Sequence, residues 1–112
     1  MIFGFGKSAK HHEIDARTLS AMAGANQAVI VDVREPGEFA AGHIPGAINM
    51  PLSTFQPAAL PAHPGKMLVL ACQGGKRSGM ALDACAAAQS AVDTHLAGGF
   101  GAWVAAGLPV AR

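Results

Sequence analysis

The most informative segment of this sequence is MLVLACQGGKRS, which occupies residues 67–78. A short apolar run leads into Cys72, two glycines follow soon after it, and an alanine-rich segment comes after Ser78. This order predicts a buried strand over 67–71, a tight loop, and a helix over 78–88. Cys72 then lies at the carboxyl end of the strand, which is where ligand sites form in open α/β sheets.

The composition of the loop indicates its chemistry. Gly74 and Gly75 allow the backbone to curl so that successive N–H groups point inward, and the helix N-terminus adds partial positive charge. Such a nest binds anions and favours thiolate over thiol, which lowers the pKa of a cysteine. Lys76 and Arg77 add two formal positive charges. We therefore predict that Cys72 performs sulfur or phosphorus chemistry on an anion.

The rest of the chain alternates between predicted strands and helices. Residues 1–10 are predicted to form an N-terminal arm, and residues 11–112 a single domain. The remaining strands are expected at 11–14, at 28–33, within 44–51 and at 92–96. The remaining helices are expected from the N-cap Asp15 to about Gly24, from Pro36 to just before Gly42, after Ser53 or Thr54, and at 102–106. This alternation predicts a parallel α/β sheet with helices on both faces.

Length and composition restrict the class of protein. With 112 residues, 51% of them hydrophobic, the chain is long enough for a core that needs neither disulfides nor a metal. A net charge of +1, with five Phe and one Trp, gives no reason to expect nucleic acid as a partner. No apolar run is long enough to span a membrane. Two cysteines without a framework pattern indicate a reducing compartment, so we predict a cytoplasmic protein with no nucleic-acid or membrane partner.

The other potentially reactive side chains are expected to be structural. Cys85 lies eight residues beyond Arg77, which is about 12 Å along a helix. A disulfide needs Cα atoms within about 7 Å of one another, so Cys85 is predicted to be a small core residue. The five histidines lack the spacing of metal ligands. We therefore predict no metal site and no cofactor.

Four stretches of the sequence resemble the rhodanese, or thiosulfate sulfurtransferase, domain. They occur in the order and at the spacing of that family and cover about residues 12–110. The stretches are VDVRE (31–35), GHIPGAIN (42–49), CQGGKRS (72–78), and LAGG (96–99) with Trp103 and GLPV (107–110). The resemblance implies a three-layer rhodanese-like α/β fold, in which a central five-stranded parallel sheet has helices on both faces.

The resemblance also implies a reaction. Cys72 would take the outer sulfur of thiosulfate as a persulfide and pass it to cyanide or a thiol, with its negative charge held by backbone N–H groups of the loop. The predicted substrate-binding residues around the nucleophile are Gln73, Gly74, Gly75, Lys76, Arg77 and Ser78. By the same resemblance, Asp32 and Arg34 line the base of the site or brace the loop; the alternative is a structural ion pair or a cap.

Individual side chains of the loop have more than one possible role. Arg77 is expected at the loop base or on the anion, where its guanidinium can hold two sulfonate oxygens. Lys76 is expected to steer the anion into the site. Ser78 either donates a hydrogen bond to the sulfur or caps the helix. Glu38, four residues after Arg34, is expected to pair with it on a helix surface.

Loop length separates two chemistries. Four residues lie between Cys72 and Arg77, whereas relatives that act as phosphatases have five and often a histidine before the cysteine, where this chain has Ala71. The sequence therefore favours sulfur transfer over phosphate chemistry. Two alternatives to a thiosulfate enzyme remain: a persulfide carrier that is loaded by a partner protein, and a non-catalytic module for binding or regulation. The intact loop argues against the second.

Overall fold

The computed structural model describes residues 11–112, and the predicted arm, residues 1–10, lies outside the described residues. Strands and helices alternate, with two 3₁₀ turns at Leu52–Thr54 and Pro57–Ala59. The strands are β1 (His12–Ile14), β2 (Ala28–Asp32), β3 (Ile48–Asn49), β4 (Met67–Ala71) and β5 (Thr94–Leu96). The helices are α1 (Ala16–Gly24), α2 (Pro36–Ala41), α3 (Lys76–Ala87) and α4 (Gly99–Ala105).

The strands form one parallel sheet in the order β1–β5–β4–β2–β3. β4 is central, and it pairs with β2 from Ala28 opposite Met67 to Asp32 opposite Ala71. This register places Asp32 level with the residue that precedes Cys72. The two short strands β1 and β3 form the edges of the sheet. Pro45 and Pro51 flank β3, and prolines are tolerated at an edge because it has backbone groups without a partner strand.

The two faces of the sheet are covered by different helices. On one face, Leu82 and Cys85 of α3 pack with Leu70 of β4. On the other face, Leu19 of α1 and Trp103 of α4 share a core with alternate residues of the same strand, as β-strand geometry requires. The predicted fold is therefore confirmed: a three-layer α/β domain with a central five-stranded parallel sheet and helices on both faces.

Two predicted helix starts agree with the structure. Asp15 accepts a hydrogen bond from the backbone N–H of Thr18 at 2.8 Å and is the N-cap of α1. Pro36 occupies the first position of α2, and Gly42 follows its last residue. Local sequence signals are sufficient here because the capping groups are neighbours in the chain.

Two other helices begin earlier than expected. α3 begins at Lys76 rather than Ser78, because Gly75 adopts a left-handed conformation (φ 112°) that ends the loop and serves as the N-cap without a side chain. α4 begins at Gly99 rather than at residue 102. Lys76 and Arg77 therefore belong to the first turn of α3 and not to the loop.

The segment after β3 also differs from the prediction. Residues 52–54 form a 3₁₀ turn with no side-chain cap, so the helix cap predicted at Ser53 or Thr54 is wrong. Prolines at 51 and 57 lack a backbone N–H and fix φ, so a longer helix cannot run through this segment. Within residues 11–112, no helix has the length and apolar character needed to cross a membrane.

Candidate active site

Cys72 lies between the central strand and the first turn of α3. The residue is only 1% exposed. Its sulfur accepts a hydrogen bond from the backbone N–H of Gly75 at 3.0 Å. The left-handed backbone of Gly75 turns this N–H toward the sulfur, and a side chain at this position would strain the turn. The predicted arrangement of strand, curled loop and helix N-terminus around a cysteine is thus present.

The surroundings of the Cys72 sulfur favour the thiolate. Burial by itself would raise the pKa of the thiol, but the Ser78 hydroxyl and backbone N–H groups of Ser78, Gly75 and Gly74 form hydrogen bonds that outweigh this effect. The net result is a pKa below the ordinary value. By contrast, burial raises the pKa of Cys85, which lies on the fully buried side of α3. The surroundings therefore lower the pKa of one thiol and raise that of the other.

Ser78 contacts the sulfur directly. It is the third residue of α3, and its hydroxyl lies 3.4 Å from Cys72 Sγ. The hydroxyl also lies 3.2 Å from the carbonyl oxygen of Gly75 and 2.7 Å from His95 Nδ1. The capping role considered for Ser78 is not seen, because the N-cap of α3 is Gly75. Sequence reasoning missed His95, although a histidine inside a short buried strand is a signal that its ring needs a polar partner.

Arg77 is paired with Glu38 of α2. Its two terminal nitrogens donate hydrogen bonds of 2.6 and 3.0 Å to the two carboxylate oxygens. The Arg77 hydrogen bond, together with one from the backbone N–H of Glu35, lowers the pKa of Glu38 to about 2. The expected pair between Glu38 and Arg34 is therefore wrong. Arg34 is buried against the Asp32 carboxylate. Glu38 lies at the third position of α2 and faces the first turn of α3.

Asp32 and Arg34 form a buried ion pair at the carboxyl end of β2. Arg34 Nη2 lies 2.8 Å from Asp32 Oδ2 and 2.7 Å from the carbonyl oxygen of Gly42. Arg34 Nη1 lies 3.4 Å from the side-chain oxygen of Gln73, and the guanidinium lies 4.4 Å above the ring of Phe100. The pair is thus structural and also reaches the loop through Gln73, so the two roles considered for it coexist.

The N-terminus of α4 closes the loop from the opposite side. The backbone N–H groups of Phe100 and Gly101 donate hydrogen bonds to the carbonyl oxygens of Cys72 and Gln73, at 2.7 and 3.0 Å. A Cβ atom on Gly99 would lie 2.6 Å from the Gln73 carbonyl carbon, which is a steric clash. Sequence reasoning did not foresee this contact, although the Gly98-Gly99 pair is the signal of a close backbone approach.

The remaining predicted site residues occupy different surroundings. Lys76 is exposed in the first turn of α3, and Gln73 and Gly74 are exposed in the loop. Among residues 11–112, no three His, Cys, Asp or Glu side chains are grouped so that they could hold a metal ion. The arrangement presents one thiol with a lowered pKa, a backbone donor directed at its sulfur, and a cation at the rim.

Comparison with known proteins places this geometry in context. A family model described as the Rhodanese-like domain matches residues 15–106. An uncharacterized protein of Synechocystis is 42% identical over 99 residues, which are 88% of this chain and 55% of that protein. A sulfurtransferase of Allochromatium vinosum is 31% identical over 100 residues, which are 88% of this chain and 94% of that protein.

A solved structure agrees with these matches. The thiosulfate sulfurtransferase of Pseudomonas aeruginosa is similar to this chain with a TM-score of 0.74 and 27% identity, over 97% of this chain and 21% of that one. The chain spans 55% of the Synechocystis relative and 64% of a Bacillus subtilis relative. The similarity to those two proteins therefore concerns one part of their length.

Proposed function

The chain belongs to the rhodanese-like family, and we propose that it is a sulfurtransferase that carries sulfane sulfur as a persulfide on Cys72. The proposed donor is thiosulfate, and the proposed acceptor is cyanide or a thiol. The proposed catalytic residue is Cys72, and the proposed substrate-binding residues are Gln73, Gly74, Gly75, Lys76, Arg77 and Ser78.

One observation carries the proposal. The Cys72 sulfur lies at the N-terminus of α3 with the Gly75 N–H at 3.0 Å, in surroundings that lower the pKa of the thiol. A thiolate in this position is a nucleophile, and the same donors stabilise the charge of a persulfide. The loop length supports sulfur transfer rather than phosphate chemistry, because four residues separate Cys72 from Arg77.

In the first half-reaction, the Cys72 thiolate attacks the outer sulfur of thiosulfate. A new S–S bond forms on the enzyme while the S–S bond of thiosulfate breaks, and sulfite leaves with that electron pair. The product is a persulfide anion. The backbone N–H groups of the loop hold its charge in the proposed mechanism, and they are oriented before the reaction begins.

In the second half-reaction, the acceptor attacks the outer sulfur of the persulfide. With cyanide, a C–S bond forms, the enzyme S–S bond breaks, and its electron pair returns to Cys72 as thiolate. No external oxidant or reductant is needed. Lys76, exposed beside the loop, attracts the anionic donor, whereas Arg77 is fixed by Glu38 and contributes its charge from the wall of the site.

Both cysteines are free thiols, and the proposed reaction requires Cys72 to stay reduced between cycles. We therefore place the protein in a reducing compartment such as the cytoplasm as part of this proposal. A protein donor of sulfur would be compatible with the same chemistry at Cys72, so the test below distinguishes it from thiosulfate.

Intact-protein mass spectrometry after incubation with thiosulfate tests the function. We expect wild type to gain the mass of one sulfur and to lose it on addition of cyanide, with thiocyanate as product. Cys72→Ser should gain nothing. Cys85→Ser is the matched control, because it removes the other buried thiol and leaves Cys72 in place, and it should gain one sulfur as wild type does.

Two results would contradict parts of the proposal. No mass gain on folded, reduced wild type would exclude thiosulfate as donor and leave transfer from a protein donor, such as a cysteine desulfurase, as the next test. A gain that persists in Cys72→Ser would show that the persulfide forms elsewhere. The second result would overturn the assignment of the nucleophile.

A further inference from the structure

Behind Cys72, polar groups form a line that leads away from the sulfur. The Ser78 hydroxyl lies 3.4 Å from Cys72 Sγ and 2.7 Å from His95 Nδ1. Ser78 is 0% exposed and His95 is 5% exposed. The other ring nitrogen, His95 Nε2, lies 3.6 Å from Glu13 Oε2, and the Glu13 side chain is 61% exposed. A path of neighbouring polar atoms therefore connects the sulfur with a carboxylate at the surface.

The single proton of the Ser78 hydroxyl connects the state of the sulfur with the state of the imidazole. A Cys72 thiol can donate to Ser78 Oγ while Ser78 donates to His95 Nδ1. A thiolate only accepts hydrogen bonds, and its full charge makes it a stronger acceptor than the Gly75 carbonyl oxygen, which lies 3.2 Å from the same hydroxyl, so Ser78 then donates to the sulfur. In that case His95 Nδ1 carries a proton and donates to Ser78 Oγ. Loss of the thiol proton and gain of a proton at Nδ1 are therefore coupled through one hydroxyl.

The groups around His95 favour an imidazolium once Nδ1 is protonated. Glu13 of β1 faces Nε2, and a proton on Nε2 avoids placing a lone pair against the carboxylate. His11 also faces the ring, with 5.7 Å between the ring centroids, and its Nε2 contacts the Asp83 carboxylate of α3 at 2.9 Å. Within residues 11–112, these are the charged and titratable side chains that face His95 directly or through His11, and they come from β1, from the residue before it and from α3.

The resting state of His95 is set by the balance of these groups. Burial lowers the pKa of His95, the Glu13 carboxylate raises it, and His11 lowers it, so that the pKa lies below its ordinary value. His95 is therefore neutral near pH 7 and has a nitrogen free to accept a proton. A new negative charge on a nearby group favours protonation of the ring and raises its pKa.

We propose that His95 is a positioning residue that takes up the proton of the Cys72 thiol through Ser78. The S–H bond and the original O–H bond break, while a new O–H bond and an N–H bond at Nδ1 form. The products are a thiolate, a hydroxyl that now donates to the sulfur, and an imidazolium beside Glu13, so charge and protons balance. The inference rests on the proposed sulfurtransferase function, because the thiolate is the form that attacks the donor.

The imidazolium persists through the transfer of sulfur. Neither half-reaction with thiosulfate and cyanide consumes a proton at Cys72, since the enzyme alternates between thiolate and persulfide anion. Ser78 can donate to the sulfur in both forms while His95 donates to Ser78. His95 therefore determines the pH at which the cycle becomes available, and it does not act in each turnover.

The pH dependence of Cys72 alkylation by iodoacetamide tests this relay. Peptide mass spectrometry distinguishes Cys72 from Cys85. His95→Asn keeps a hydrogen-bonding group near Nδ1 but cannot accept a proton, so we expect the midpoint of the profile to rise by about one pH unit, which is roughly tenfold less thiolate near pH 7. His12→Asn is the matched control, because His12 lies on an edge strand with an exposed ring, and its midpoint should equal that of wild type.

Sulfur transfer gives a second readout that separates the relay from a structural effect. In His95→Asn, persulfide formation should slow about tenfold near pH 7 and recover near pH 9, because solvent then removes the thiol proton without the relay. A structural role would lower the rate at every pH. An alkylation midpoint equal to that of wild type, or a loss that does not recover at high pH, would contradict the relay.

A second variant keeps the test decisive if His95→Asn does not fold. Glu13→Gln changes an exposed side chain of an edge strand, and its midpoint should rise in the same direction; an unchanged midpoint contradicts the relay. Alkylation needs no sulfur donor. A shifted midpoint in the variants, with no persulfide formed from thiosulfate by wild type, therefore supports the relay and excludes thiosulfate as the donor. Persulfide formation by wild type with an unshifted midpoint in the variants supports sulfur transfer and contradicts the relay.

Discussion

Glu38 shows how one residue of this protein stabilises two helices. Its carboxylate accepts the hydrogen bond from the Glu35 backbone N–H that completes a capping box at the start of α2. The same carboxylate holds both terminal nitrogens of Arg77 in the first turn of α3. Glu38 thus fixes α2 against the helix that presents the Cys72 loop, and its effect on stability should depend on pH.

The pKa of Glu38 gives the sign of that dependence. It is lowered from 4.5 to about 2 in the folded protein, so the stabilisation is present above pH 4.5 and is lost as the pH falls toward 2. We expect wild type to exceed Glu38→Gln in free energy of unfolding by about 0.5–1 kcal/mol near neutral pH, because solvent screens a pair that is 38% and 32% exposed. Urea unfolding near pH 7 and near pH 2.5 measures the difference.

The difference in unfolding free energy between wild type and Glu38→Gln reports on Glu38 alone, because every other carboxylate titrates in both proteins. It should shrink at low pH and also at high salt concentration. A difference that stays constant between about pH 7 and 2.5 would show that Glu38 acts through helix geometry alone, and not through its charge.

At the scale of elements, the site depends on how closely α4 approaches the Cys72 loop. The first turn of α4 donates backbone hydrogen bonds to the carbonyl groups of Cys72 and Gln73. Only a glycine fits at position 99, where φ is 62° and a Cβ atom would clash with the Gln73 carbonyl. The loop is therefore held between two helix N-termini. One belongs to α3, which directly follows the loop in the sequence, and the other belongs to α4, which covers the opposite face of the sheet.

Gly99→Ala should damage both stability and sulfur transfer. The left-handed backbone and the clash together are expected to cost about 2 kcal/mol or more in unfolding free energy. We expect the rate of persulfide formation to fall as well, because the loop must move to make room. Urea unfolding and the thiosulfate assay measure the two effects.

Gly24→Ala is the control for Gly99→Ala. Gly24 is the last residue of α1, a Cβ atom added there would have no other atom within 4 Å, and its φ lies outside the left-handed region. The same chemical change should there raise stability by up to about 1 kcal/mol and leave transfer unchanged. Equal effects of the two substitutions would contradict the close approach of α4.

At the scale of the whole molecule, the Asp32–Arg34 pair connects parts that are distant in sequence. Arg34 contacts the end of α2 through Gly42, the loop through Gln73, and α4 through Phe100. Both charged residues are 3% exposed. A buried charge that loses its partner is costly, so this pair should dominate the stability of the carboxyl edge of the sheet.

Breaking this pair from either side should be strongly destabilising. We expect Arg34→Met and Asp32→Asn each to lower the unfolding free energy by about 3–5 kcal/mol, and the double variant to lose less than the sum. Urea unfolding of all four proteins gives the coupling energy. Arg17→Met, which changes an exposed arginine of α1, should stay within about 0.5 kcal/mol of wild type. Additive losses from the two substitutions would contradict a coupled pair.

The sequence alone determined the parts of this protein that depend on neighbours in the chain. The apolar run over 67–71, the cysteine that ends it and the glycines that follow predicted the central strand and its loop, because strand periodicity and glycine backbone freedom are local properties. Asp15 and Pro36 marked helix starts for the same reason. The alternation of strands and helices, with the four motifs, then predicted the parallel sheet.

Tertiary structure decided which side chains meet around the sulfur. Glu38 pairs with Arg77 rather than with Arg34, and the partner of Ser78 is His95, from a strand that follows 17 residues later. The start of α4 reaches the loop only because Gly99 leaves room for the Gln73 carbonyl. These contacts depend on strand register and helix packing. Both bring together residues that are far apart in the sequence, and no local pattern in the sequence marks such residues as partners.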